Sequence, residues 1–128
     1  MNSALPDNVS LQVFLEGQVI FQSSGTWLYP LFDLEDYLRD HPQETAKIFI
    51  SDKVVGKAAA LMMIRLAVGR VHGELMSELA VDVFSKHHVP HTYDVLVPRI
   101  DCQTEAILLE IDDPEEAYQI LCKRANRC

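Results

Sequence analysis

Ala46-Lys47-Ile48-Phe49-Ile50-Ser51-Asp52-Lys53-Val54-Val55-Gly56-Lys57-Ala58-Ala59-Ala60 is the stretch on which the fold turns. Ala46 to Ile50 reads as a short, largely apolar strand. Ser51 or Asp52 can then cap a helix, because either side chain accepts from the exposed N–H groups of a first turn. The helix runs to about Val68, with Gly69 as its stop, and Val71 to Met76 reads as the next strand. A strand, a helix and a strand in this order imply a parallel pair joined by a right-handed crossover.

The pattern extends in both directions. Ser77 caps a third helix carrying Ala80, Phe84 and His87 on one face, and Val89 to Tyr93 reads as a fifth strand. A short helical segment spans Glu105 to Leu109. Asp113-Pro114-Glu115-Glu116 then opens a last helix, with Asp as cap, Pro at the first position and Glu at the third. Its inner face holds Ala117, Ile120 and Leu121. Towards the N-terminus, Ser10–Glu16 alternates and Val19–Gln22 follows a Glu16-Gly17-Gln18 turn, which predicts a hairpin. Pro30 then opens a helix with Leu31, Leu34 and Leu38, which His41-Pro42 ends. Residues 1–9 read as a flexible tail and 10–126 as a single domain. The order β-β-α-β-α-β-α-β-α predicts a three-layer α/β/α domain around a mixed sheet of about five strands.

The chain has 128 residues, a hydrophobic share of 48% and a formal net charge of −8. That is enough apolar material for one core. The acidity argues against a nucleic-acid partner or an anionic membrane surface, which need a basic face. No apolar run is long enough to span a membrane. Three cysteines, Cys102, Cys122 and Cys128, stand without CxxC spacing or a signal peptide, and predict reduced thiols in the cytoplasm. One segment departs from the acidity. Between Thr45 and Gly73, Lys47, Lys53, Lys57, Arg65 and Arg70 face a single acid, Asp52.

Ser51-Asp52-Lys53-Val54-Val55-Gly56-Lys57-Ala58-Ala59-Ala60 closely resembles the signature of a small prokaryotic domain-of-unknown-function family. Tyr29-Pro30-Leu31, Ser77-Glu78-Leu79-Ala80, Tyr93-Asp94-Val95-Leu96-Val97-Pro98 and Ile111-Asp112-Asp113-Pro114-Glu115-Glu116-Ala117-Tyr118 carry the likeness across roughly residues 10–122. The resemblance implies a cytidine deaminase-like fold and no particular activity. The family's loop after Val-Pro is longer and ends in Cys-Pro-Met-Glu; here it is short, with Cys102-Gln103-Thr104-Glu105 in its place.

A zinc deaminase needs H-x-E at one helix N-terminus and P-C-x-x-C at the next. His72-Gly73-Glu74 matches the first in letters, but it falls in a predicted strand and no CxxC follows. The expectation is therefore no metal and no cofactor. His87, His88 and His91 cluster near a helix end, where the helix dipole favours them.

The expected ligand site is the end of the strand and the start of the helix, Ser51, Asp52, Lys53, Gly56 and Lys57. Helix N-termini in α/β sheets hold anions, and Lys53 and Lys57 would share a helical face. Ser77 opens onto the same sheet edge, and Arg99 is expected near the same site. The plainer alternative is a solvated lysine stripe with Asp52 as a cap. Two function classes follow. One is a domain that binds an anionic small molecule, a nucleotide or phosphorylated metabolite. The other is a zinc-independent enzyme using Asp52, Lys53 and Cys102. A third reading is an assembly module, because the helix Val54–Val68 is apolar nearly all round and its second cover would be another chain, giving a homo-oligomer, most simply a dimer.

Overall fold

The computed structural model describes residues 4–100 and 103–127. Strands β1 (Leu11–Leu15) and β2 (Gln18–Ser23) form the expected hairpin. Glu16 and Gly17 both take positive φ, 51° and 82°, which matches the twist of a two-residue hairpin turn. Helix α1 (Tyr29–Asp40) has Pro30 in its first turn and His41 as its C-cap. Strand β3 (Ile48–Val55), α2 (Lys57–Arg65), β4 (Arg70–Ser77), α3 (Glu78–Lys86) and β5 (His91–Val97) follow, then α4 (Gln103–Ile107) and α5 (Pro114–Arg124). The strand order is β2-β1-β3-β4-β5. β1 is antiparallel to both β2 and β3, and β3, β4 and β5 are parallel. The mixed five-stranded sheet and the alternating α/β order stand as expected, consistent with a three-layer α/β fold.

Register shows where the helices sit. Phe21, Val13, Ile50, Val71 and His91 pair in one row across the sheet. At one end Phe21 packs on Tyr37 of α1, and at the other His91 packs on Phe84 of α3. Both helices therefore lie on the same sheet face. The opposite face carries Phe14 stacked on Phe49, with the Arg70 guanidinium over the Phe49 ring.

The quoted stretch folds differently from its local reading. β3 runs on through Ser51, Asp52, Val54 and Val55, so neither Ser51 nor Asp52 caps a helix. Ser51 is in register with Gln12 on one side and His72 on the other, and Asp52 with Leu11 and Gly73. An interior strand with two neighbours outweighs a local cap. Gly56 is the N-cap, without a side-chain hydrogen bond, and Lys53 and Lys57 do not share a helical face. The helix ends at Arg65 and turns through Ala67 at φ 61°. Gly69 serves a close approach. A Cβ there would lie 2.0 Å from the Ala46 carbonyl oxygen.

Every residue of α2 from Lys57 to Met63 is buried. The second cover comes from within the chain, since α3 and α5 both pack on α2. This helix therefore gives no reason for a second copy. α1, α2 and α5 are also tied by charge. Arg65 pairs with Glu35 and with Glu115 (2.8 Å) and lies over the Tyr118 ring, and Tyr118 donates to Glu35 (2.7 Å).

Two caps stand as expected. Ser77 accepts from the Ala80 N–H, and Asp113 from the Glu116 N–H. The fifth strand begins two residues later than expected and ends four later, because Val89 turns back to bond Phe84 and the ladder to β4 starts at His91. Within α3's expected face, His87 is the exposed C-cap. Cys122 is disulfide-bonded, which corrects the expectation of free thiols for this residue. Part of the expected tail is tied down. The Leu5 N–H donates to Glu74, and Leu5 and Val9 are half-buried. No helix among the described residues is long and apolar enough to cross a membrane.

Replacing Gly69 with alanine forces a side chain into the Ala46 carbonyl. The expected loss is about 2–4 kcal/mol in urea denaturation, on the scale of severe backbone clashes. A midpoint unchanged from wild type would contradict the packing described.

Candidate functional site

The expected anion site already holds an anion from the same chain. Glu105, on α4, is 1% exposed. Its carboxylate accepts from the Lys57 N–H at the start of α2 (2.7 Å), from the Ser77 hydroxyl at the start of α3 (2.8 Å) and from the Ile100 N–H (2.5 Å). Two helix N-termini converge on one carboxylate, which suits their dipoles. Gly56 must be small here, because an added Cβ would sit 2.9 Å from a Glu105 oxygen. Lys57 is also engaged. Its ammonium, 5% exposed as a residue, donates to Asp112 (2.9 Å) and to the Leu109 carbonyl (3.1 Å). The hydrogen bond and charge of Lys57 hold the Asp112 carboxyl below its usual range.

Gly56, Lys57 and Ser77 do meet at one sheet edge, as their sequence positions imply. They meet around Glu105, whose carboxylate already takes the Lys57 N–H and the Ser77 hydroxyl. Ser51 is buried in β3 and does not line the cleft described next. Arg99 is exposed and does not line that cleft either. Cys102 lies outside the described residues.

Asp52 and Lys53 line a separate cleft. A cleft of about 450 Å³ opens between the end of β3, the lead-in to β1 and the loop joining β2 to α1. Asp52, Lys53 and Val54 line one wall, and Ser24, Thr26 and Trp27 another. The loop is fixed locally. The Ser23 hydroxyl accepts from the Gly25 N–H, and the Ser10 hydroxyl donates to the Gly25 carbonyl (2.7 Å). The lead-in to β1 is held by the Lys53 N–H, which donates to the Ser10 carbonyl.

Asp52 keeps some exposure to the cleft while protein atoms surround its carboxyl. Desolvation raises its pKa from 3.8 to about 7, against hydrogen bonds from the Lys53 and Val54 amides, and the nearby Glu74 charge adds to the rise. A carboxyl that titrates near neutrality inside a cleft marks a functional candidate. Lys53 is exposed and forms no ion pair among the described residues.

His72 and Glu74 lie in β4, and no third ligand joins them. His72 Nδ1 sits 2.6 Å from the Thr92 hydroxyl, and its Nε2 is 3.3 Å from Asp94. Among the described residues no three His, Cys, Asp or Glu side chains converge as a metal site.

A family profile for a domain of unknown function, DUF1893, matches residues 5–124. The chain belongs to the DUF1893 family. A crystal structure of a DUF1893 family protein from Thermotoga maritima, TM1506, superposes with a TM-score of 0.81 at 26% identity. The match covers 91% of this chain and 81% of that one. No curated protein matches the chain. The DUF1893 likeness supports the fold and the family and assigns no ligand.

Two features of this DUF1893 chain escaped the sequence reading. Trp27 is one. Its signal was present, since it is the single tryptophan and it follows a Ser-Ser-Gly loop. The other is the role of Glu105, which no local pattern shows, because its partners lie 48, 28 and 5 residues away.

Asp52 makes stability depend on pH. Its folded pKa is raised, so the native chain keeps a proton that the unfolded chain releases. Stability from this group is full below about pH 4 and declines as pH rises to about 7. Asp52→Asn should remove that decline and raise the melting temperature above pH 7, by an amount equivalent to roughly 1–4 kcal/mol. Melting curves across this range that show the same slope in both proteins would refute it.

Proposed function

We propose that this chain is a small-molecule-binding domain and that its ligand sits in the cleft over Asp52 and Lys53. The observation that carries this reading is a carboxyl titrating at about 7 in a cleft already formed. The anionic ligand expected at the head of α2 moves to this cleft, because Glu105 occupies the helix terminus. Lys53 supplies the positive charge for an anionic group, and Asp52 meets an N–H donor of the same ligand. Nucleotides and phosphorylated metabolites combine both groups.

A thermal-shift screen with nucleotides and phosphorylated metabolites tests this. Stabilising compounds should lose at least about tenfold in affinity with Asp52→Asn and with Lys53→Ala, which is roughly 1.4 kcal/mol each. Lys57→Ala should lower the baseline melting temperature and keep the ligand shift, since Lys57 binds Asp112 instead. No stabilising compound, or shifts indifferent to Asp52 and Lys53, would remove the reading.

A second reading is an enzyme without zinc. The same carboxyl favours it, because a general acid or base works best with a pKa near the operating pH. Asp52 would move the proton, with Lys53 beside it. Recovery of the bound compound chemically changed, by mass spectrometry, distinguishes this from binding alone.

Self-association is a separate proposal and rests on β5, the edge of the sheet. Tyr93, Val95 and Leu96 are exposed beside its open backbone edge. Light scattering should show a dimer that Val95→Lys converts to monomer. A wild-type monomer at micromolar concentration would dismiss it.

A further inference from the structure

We infer that the Asp52 cleft continues into an apolar subsite behind Trp27, so that the ligand is amphipathic, with an N–H-bearing end at Asp52 and a flat apolar portion against Trp27. This rests on the small-molecule reading given above and adds the ligand's shape to it.

A second cavity of about 250 Å³ shares two walls with the cleft, Trp27 and Val54. The rest of its lining is mainly apolar, including Leu28, Ala58, Ala59 and Ile100. Cavities of about 150 Å³ admit benzene, so one ring fits. The two shared side chains are 40% and 43% exposed. Ligand contact would cover both.

Trp27 carries the second observation. Its φ is 55°, in the left-handed region that bulky side chains seldom occupy. Such strain persists where the surroundings impose it, and it concentrates at ligand sites. The surroundings are visible. The indole sits edge-on to Tyr29, with centroids 5.1 Å apart, and 6.3 Å from Phe32. α1 therefore holds the ring from one side, and Trp27 lines both cavities. A flat ring placed there gains stacking with the indole, and a cationic ring substituent gains attraction to its face. The polar end then reaches the carboxyl of Asp52.

Trp27 is the sole tryptophan, so its fluorescence reports on this site without background. The probes are benzamidine, which joins a ring to an amidinium, and acetamidine, which keeps the amidinium and lacks the ring. Benzamidine should change Trp27 emission saturably and bind at least about tenfold more tightly than acetamidine in calorimetry. Asp52→Asn should weaken both. Ala59→Leu, which fills the apolar cavity, should weaken benzamidine at least about tenfold and leave acetamidine unchanged. Ala59 is buried, so Ile100→Ser, at a half-buried wall of the apolar cavity that the cleft does not share, provides a second variant with the same expected result. Equal affinities for the two probes, both lost in Asp52→Asn, would overturn the subsite and leave the cleft standing. The same holds if benzamidine is indifferent to both cavity variants. No binding by either probe, or binding indifferent to Asp52, would overturn the subsite, while the cleft is decided separately by the screen with nucleotides and phosphorylated metabolites.

Discussion

The buried carboxylate of Glu105 joins α4 to the first turns of α2 and α3 and to the Ile100 amide. Charge buried without partners is costly, and this one is stabilised by three donors and two helix dipoles. The arrangement explains several choices of residue. Gly56 must lack a side chain, Ser77 must both cap α3 and donate, and α4 must lie close enough for Glu105 to reach both helices. It also closes the end of the sheet where α/β domains commonly take ligands. The Asp52 cleft is separate from it.

That cleft has a different physical character. At Glu105, hydrogen-bond donors surround the charge. At Asp52, burial dominates over two backbone amides, and the carboxyl holds its proton to about pH 7. One carboxylate is used to build and the other is left poised. The contrast lies in the surroundings, since both are single acids near short polar stretches of sequence.

The basic segment between Thr45 and Gly73 divides in the same way. Lys57 and Arg65 are spent on Asp112, Glu35 and Glu115, and they fasten α2 to α1 and to the chain around α5. Arg70 lies over Phe49 on the sheet's other face. Lys53 alone of the segment's cations lines the cleft beside Asp52.

Periodicity and caps by themselves determined the hairpin, the parallel units and the starts of α3 and α5. Those signals are local: Leu11, Val13 and Leu15 alternate, and Ser77 and Asp113 bond amides three residues on. Where β3 ends was decided by tertiary structure. Ser51 and Asp52 look like caps to their neighbours, yet pairing with β1 and β4 on both sides keeps them in the strand. The site followed the same rule. The sequence placed Gly56, Lys57 and Ser77 at one edge and singled out Asp52 and Lys53. Only the folded chain brought Glu105 across 48 residues to fill the helix terminus, and set Trp27 and Asp52 in one cleft. Contacts at such separations leave no local pattern, because their energy comes from burial and from partners that the chain alone does not put side by side.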